Sequence, residues 1–353
     1  MKPDFRVVAD SKDITDLLRD RLLSIRTTDK AGVDSDECEI HIDDRDGAVA
    51  FPKRGAVLAI SLGYEGQPLT FVGRYKVDEI EISGPPQSIV IRGKPADIAA
   101  SMKDQKRGSW EGAKLADIVS DIAGRNKLQA LCRVDADVPR VDQINESDMH
   151  FITRLAARHG ATATVKDGKL IVARRGDGKS GSGQALPLVT LGRTDLASYS
   201  MTFPDRSSFG KVRVGYHDNK TGVLRTIELP NKDAPPDAQA ATYTDRHVHP
   251  TAAAAGAAAK SRVQALNRAT VTGRLELMDG RADVGAEKRV KLVGIKNGAD
   301  GEYLIESVEQ NFTKSSWITT ISINAGNSGK AKAGRTKSPK TTSKKALREI
   351  DLD

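Results

Sequence analysis

The sequence predicts a mainly β protein with an α+β insert: two strand-rich barrels separated by a small helix-and-hairpin unit. Three observations predict it. Apolar and polar residues alternate through much of the first hundred positions and again after residue 209, the period of a half-buried strand. Between these stretches, Leu115, Ile118, Val119 and Ile122 fall at helical spacing. Hydrophobic residues are 38% of 353, but aromatics only 4%. Cores must therefore be built from Val, Ile, Leu and Ala, and 353 residues are enough for two or three domains.

In the first stretch, Cys38–Asp43 and Tyr75–Ile82 alternate, and Ala56–Leu62 is a fuller apolar run. Ser88–Arg92 follows a Gly-Pro-Pro turn. The pattern is that of an antiparallel sheet closed into a small barrel. A helix is expected within Lys114–Arg125. A second should begin after Ser147, whose hydroxyl can cap free N–H groups, with Phe151, Ile152, Leu155 and Ala156 as its apolar face. Ala161–Val165 and Lys169–Ala173 read as a hairpin turning at Asp167-Gly168.

Arg174–Gln184 is rich in Gly, Ser and Lys and reads as a flexible linker. Strands resume at Phe209–Tyr216 and Val223–Leu229, around a polar turn at Asp218–Gly222. Pro230–Ala241 reads as a loop, and Ala252–Asn267 as an Ala-rich helix. Further strands are expected at Thr270–Leu277, Lys288–Val293, Tyr303–Phe312 and Trp317–Ile323. Asn327–Lys345 is nearly devoid of apolar residues and is expected to be disordered in isolation. The predicted division is a first barrel over 1–107, the insert over 108–176, the linker and second barrel over 177–326, and a basic tail over 327–353.

Composition excludes several classes. The formal net charge is +8. From Lys330 onward, eight basic residues face three acidic ones, so most of the excess sits in the tail and the body is nearly balanced. That is not a dedicated nucleic-acid surface. Cys38 and Cys132 are far apart and make neither a disulfide framework nor a metal spacing. The N-terminus lacks an apolar signal core, and no run approaches the ~20 apolar residues that span a bilayer. The chain reads as soluble, with two reduced thiols and no signal peptide.

Several motifs invite a chemistry that their surroundings do not support. Gly176-Asp177-Gly178-Lys179-Ser180 ends like a phosphate-binding loop, but Ala173 stands where its first glycine belongs. Arg175-Gly176-Asp177 matches an adhesion tripeptide, in a Gly-rich stretch where chance supplies one. His247 and His249 share a face of an extended segment and could begin a metal site, but no Cys or further His is near in sequence. No Gly-x-Ser-x-Gly elbow occurs, and acids such as those of Asp43-Asp44-Arg45-Asp46 sit in turn-like positions. No catalytic, cofactor or metal residue is assigned. The basic tail reads as a solubilising end, a segment that orders on a partner, or a nucleic-acid contact. It lacks aromatics for base stacking.

One segment is more specific. Gln143-Ile144-Asn145-Glu146-Ser147-Asp148, followed by Phe151, Ile152, Arg154 and Leu155, resembles the Gln-x-x-Glu-Ser-Asp signature of the phage late control gene D family. The hub portion of type VI secretion spike proteins carries a similar motif. Asp10–Thr15, Ile42–Gly55, Tyr75–Ile80, Gly183–Pro187 and the Asp167-Gly168 hairpin are similar to that family too. The resemblance covers roughly residues 4–325. It implies two tail-tube-like barrels per chain and a homotrimer that places six barrels in a ring. Such a ring would match a hexameric tail tube to a trimeric central spike in a contractile particle.

The expected function is therefore a non-enzymatic baseplate hub. Its expected partners are a separate spike chain, the tube or a tube initiator, the tape-measure protein and inner baseplate proteins. It would be assembled in the bacterial host cytoplasm into a phage tail or a tail-like bacteriocin. The strand edges and the insert around Gln143–Asp148 are the expected interface, and Gln143, Asn145, Glu146, Ser147, Asp148, Phe151, Arg154 and Leu155 are the family-motif residues that could take part in it. Two other readings compete: a peptidoglycan-binding or peptidoglycan-degrading tail module, and a nucleic-acid regulator acting through the tail, although no helix-turn-helix is visible.

Overall fold

The computed structural model describes residues 1–329 except 32–35, 97–99, 167, 177, 179–183, 205–208, 219–220 and 235–237. The first part runs β1 (Pro3–Ala9), β2 (Lys12–Asp13), α1 (Thr15–Arg19), β3 (Leu22–Lys30), β4 (Glu37–Asp43), β5 (Val57–Tyr64), β6 (Thr70–Ser83) and β7 (Ser88–Pro95). The insert runs β8 (Gln105–Lys114), α2 (Leu115–Arg125), β9 (Gln129–Cys132), β10 (Asp137–Ser147), α3 (Asp148–Arg158), β11 (Ala161–Lys166) and β12 (Lys169–Arg174). The remainder is β13 (Val189–Gly192), β14 (Leu196–Thr202), β15 (Lys211–Asp218), β16 (Val223–Pro230), β17 (Thr242–His249), α4 (Ala252–Arg268), β18 (Thr272–Leu277), β19 (Arg289–Val293), β20 (Gly301–Phe312) and β21 (Trp317–Asn324).

The protein is mainly β. Alternation sets the strands as expected: in β4, Cys38, Ile40 and Ile42 point inward, and in β5, Leu58, Ile60 and Leu62 do. The strands before and after the insert join in one 13-stranded sheet, ordered β14-β18-β21-β20-β3-β4-β7-β6-β5-β1-β2, with β19 and β13 branching from β20. The link is β20, which pairs antiparallel with β3 from Ser307↔Lys30 to Phe312↔Ile25. One core lies under the first set of strands and another under the last set. Phe312 and Trp317 come from the last strands but are buried in the first core, where Phe312 meets Phe5 edge-on at 5.6 Å. Sequence separation thus does not isolate the two halves.

A close approach at this seam constrains one glycine. A Cβ on Gly280 would fall inside the Trp317 indole. That ring is nearly buried, and its Nε1 donates to Gln310 Oε1 at 2.9 Å, so it has little freedom to move aside. Gly280→Ala is expected to cost about 1–3 kcal/mol by overpacking, read as a lower denaturation midpoint with altered tryptophan fluorescence.

Strands β15, β16 and β17 leave the main sheet. They form a three-stranded sheet, β16-β15-β17, covered by α4 around Val212, Val214, Ala255 and Ala259. The alternation predicted these strands but gave no sign of this separate layer. The insert has its own core, with α2 and α3 packed on the β9, β11 and β12 sheet and on the β8–β10 ribbon.

The described start of the expected linker is anchored. Arg175 pairs with Glu306 at 2.9 Å, and the Gly176 N–H donates to Glu287 Oε2 at 2.9 Å. Asn327, where the tail was expected to begin, is also held: its side chain donates to the Arg175 carbonyl at 2.8 Å and accepts from Arg268 at 2.7 Å. The expected hairpin residue Asp167, most of the linker and the tail from Lys330 onward lie outside the described residues.

Candidate interaction site at the insert motif

The motif straddles the junction of β10 and α3. Ser147 is extended and caps α3, its hydroxyl accepting from the His150 N–H at 3.2 Å. Asp148 then opens the helix, where a carboxylate also suits the positive end of the dipole. Its side chain is fully buried and accepts five hydrogen bonds: from Lys106 Nζ at 2.8 Å, Asn126 at 2.7 Å, Gln143 at 2.9 Å, and twice from Arg125. Burial alone would push this carboxyl up. The donations from Lys106, Asn126, Gln143 and Arg125 outweigh burial and hold it below the usual carboxylate range.

Gln143 is also buried. Its amide donates to the Glu146 carbonyl and to Asp148, while its Oε1 accepts from Arg125 at 2.8 Å. It therefore orients both partners of the ion pair. Glu146 forms a second pair. Arg154 donates to it through Nε at 3.2 Å and through Nη2, which also reaches the Asp142 carbonyl, and His150 Nδ1 lies 2.7 Å away. The Arg154 guanidinium, opposed by burial and helped by His150, holds the Glu146 carboxyl down.

Asn145 sits at a β-bulge between Ile144 and Glu146 with φ +48, a left-handed conformation that Asn tolerates. Arg107 Nε donates to its side chain at 2.7 Å, and the bulge leaves Ile144 exposed. Phe151 is buried and stacks on Trp110 at 5.0 Å, and Leu155 is buried beside it. The structure thus brings all eight motif residues into one local constellation. The strand β8, which supplies Lys106, Arg107 and Trp110, was not predicted. Its sequence is polar and contains two glycines, so it gives no alternating signal.

The other candidates fall elsewhere. His247 and His249 meet edge to face at 4.7 Å on β17. Among the described residues, no three His, Cys, Asp or Glu side chains are grouped to hold a metal. The N–H of Gly176 faces the Glu287 carboxylate, the wrong charge for a phosphate loop, and Asp177, Lys179 and Ser180 lie outside the described residues. Among the described residues, no helix is long and apolar enough to cross a membrane.

Comparison with known proteins fixes the family. The model of the phage tail baseplate hub (GPD) family matches residues 88–316. The "Probable baseplate hub protein" of Escherichia phage P2 is 33% identical over 92% of this chain and 93% of its own length. The chain belongs to the phage tail baseplate hub family. As a family member it is a structural component of the virion's tail baseplate. The fold of this hub chain is similar to the 43 kDa tail protein of prophage MuSo2 from Shewanella oneidensis, with TM-score 0.65, 17% identity and coverage of 90% of this chain and 97% of that one. It is also similar to an E. coli type VI secretion component, c3393, with TM-score 0.53, 11% identity and coverage of 92% and 76%. The resemblance read from the Gln143–Leu155 motif, to both phage hubs and type VI spike proteins, is thereby borne out.

Proposed function

We propose that this hub is a homotrimeric adaptor that joins the hexameric tail tube to a separate trimeric spike. The observation that carries the reading is the match to a curated baseplate hub along nearly the whole length of both chains. The sheet ends give it physical support. Among the described residues, β14 bonds only to β18, and at the far end β1 is covered only by the two-residue β2. Open edges invite pairing with another chain, and a closed ring of copies satisfies them. Within the chain, β20–β3 pairing makes the two strand sets one body, which suits a part that must transmit force without parting.

In this reading the tube or tube initiator, tape-measure and inner baseplate proteins are further neighbours, and assembly takes place in the host cytoplasm. The role is structural rather than catalytic. The motif acts mainly inward, fixing the insert through Asp148, Gln143 and Glu146. Its contact with a partner is confined to the exposed bulge at Ile144 and Asn145.

Light scattering tests the proposal. A trimer, or a monomer that forms a stable three-to-three complex with the spike encoded by the same particle, is expected. A chain that stays monomeric and ignores the spike would overturn it. A zymogram clearing cell wall would instead favour a peptidoglycan-degrading module.

A further inference from the structure

Where the insert meets the α4 layer, nitrogen-bearing side chains converge around one cavity. A cavity of ≈ 350 Å³ lies between β10, the end of α3 and β17. Arg140, Arg158, His159, His247 and His249 line it, and Asp137 is the one acid among its lining residues. Arg140 is engaged with Asp142 at 3.6 Å. The side chains of the other four form no ion pair or hydrogen bond among the described residues, although Glu146 acts on Arg158 and Asp245 on His249 at longer range. Arg158 makes no ion pair or side-chain hydrogen bond among the described residues. His159 Nδ1 is buried with no hydrogen-bond partner. The rings of His247 and His249 touch each other, and their nitrogens have no hydrogen-bond partner among the described residues.

The buried, unpaired Nδ1 of His159 is a deficit that a ligand can fill, and the exposed guanidinium of Arg158 stands beside it. The chemistry of the deficit selects the ligand. Arg158 would repel a metal cation, and the imidazoles do not group as ligands. An anion would be welcomed by all four side chains, and a guanidinium fork suits two oxygens of one oxyanion. We infer that this junction binds a tetrahedral oxyanion of the phosphate class, held by Arg158 with the imidazoles of His159, His247 and His249. The site draws on α3 of the insert and β17 of the α4 layer, so its ligand would clamp the two together.

The surrounding charges give the pH dependence a direction. Burial and then Arg158 push His159 below its ordinary value. Burial, His247 and Arg158 do the same to His249, against the pull of Asp245. Asp137 and Arg140 face the cavity from β10, Glu146 and Arg154 stand behind Arg158, and α4 contributes only Ala254 to the wall. Their surroundings therefore disfavour the charged forms of His159 and His249, and an oxyanion beside them would raise their proton affinity. Binding takes up protons and strengthens as pH falls from 8 to 6.

The test is calorimetric titration of the full chain with inorganic phosphate at pH 6 and pH 8, at constant ionic strength, with glycerol phosphate as a second probe. One saturable site per chain is expected, about tenfold tighter at pH 6, and Arg158→Gln should weaken it at least about tenfold. His247→Asn, at an exposed side chain, should weaken it while leaving the unfolding midpoint of the phosphate-free protein unchanged. Equal binding of glycerol phosphate would assign the site to a phosphoryl group on a larger molecule, and weaker binding to the free anion. No saturable binding at pH 6 would overturn the inference. So would binding that survives both substitutions, which would place the phosphate on the basic residues beyond position 329.

Discussion

Asp148→Ala is expected to unfold the insert or bring it close to unfolding. The substitution removes an acceptor of five hydrogen bonds from a site with no solvent access. It leaves Arg125 and Lys106 without their counter-charge and strands the amides of Asn126 and Gln143. Breaking a buried pair by deleting one partner costs about 3–5 kcal/mol when the surviving charge stays dry, and the cost here should lie toward the lower end because the Arg125 and Lys106 side chains are 31% and 27% exposed. Asp148→Asn keeps the shape but not the charge and should fall between the variant and the parent. Chemical denaturation, followed through the environment of Trp110 beside Arg125, reads both.

The pH dependence follows from the same network. The folded carboxyl lies below its unfolded value of about 3.9. Its contribution is therefore fully present above that unfolded value and is lost as pH falls through the lower folded value. Between pH 5 and 8 the insert should show no stability change from this group. Below about pH 4 it should loosen, and Asp148→Asn should remove that acid step. An acid step unchanged in Asp148→Asn would show that another carboxylate governs it.

Phe312→Ala is expected to have the second large effect, at the seam between the two strand sets. Phe312 is fully buried at the end of β20, paired through its backbone to Ile25 of β3 and Trp317 of β21. Its ring fills the first core beside Phe5 and Trp317. Truncating a buried Phe to Ala costs about 3–5 kcal/mol through lost burial and the cavity left behind. Because the side chain comes from one set of strands and its neighbours mostly from the other, the loss should appear as separation of the sets. Limited proteolysis should then cut between β19 and β21 at lower denaturant than in the parent. Phe151→Ala, in the insert core, is the control: it should destabilise the insert while leaving the β20–β3 seam protected.

These effects bear on what could be read in advance. The helices were legible because their signals are local. Spacing placed α2, a serine hydroxyl placed the start of α3, and alanine content placed α4. Strands such as β4, β5, β20 and β21 were legible because one face of each meets an aliphatic core. The ribbon of β8 and β10 was not, because Lys106 and Gln143 serve a charge network instead of an apolar layer and the exposed bulge at Asn145 interrupts the alternation. The short helix α1 was missed for a related reason, since five residues hold too few turns to show a period.

The motif shows the same division. The sequence by itself determined the family, since the run from Gln143 to Leu155 is specific enough to identify a baseplate hub. It also determined the mainly β character and the place of the insert, which depend on short-range alternation and spacing. Only the tertiary structure decided that most of the motif's side chains turn inward, that Asp148 is the buried centre of their hydrogen bonds, and that β15–β17 form a layer of their own. Only it decided that β3 and β20, nearly three hundred residues apart, close into one sheet. The physical reason is that hydrogen-bond partners across a sheet and counter-ions in a core are chosen by proximity in space, which no local pattern along the chain encodes.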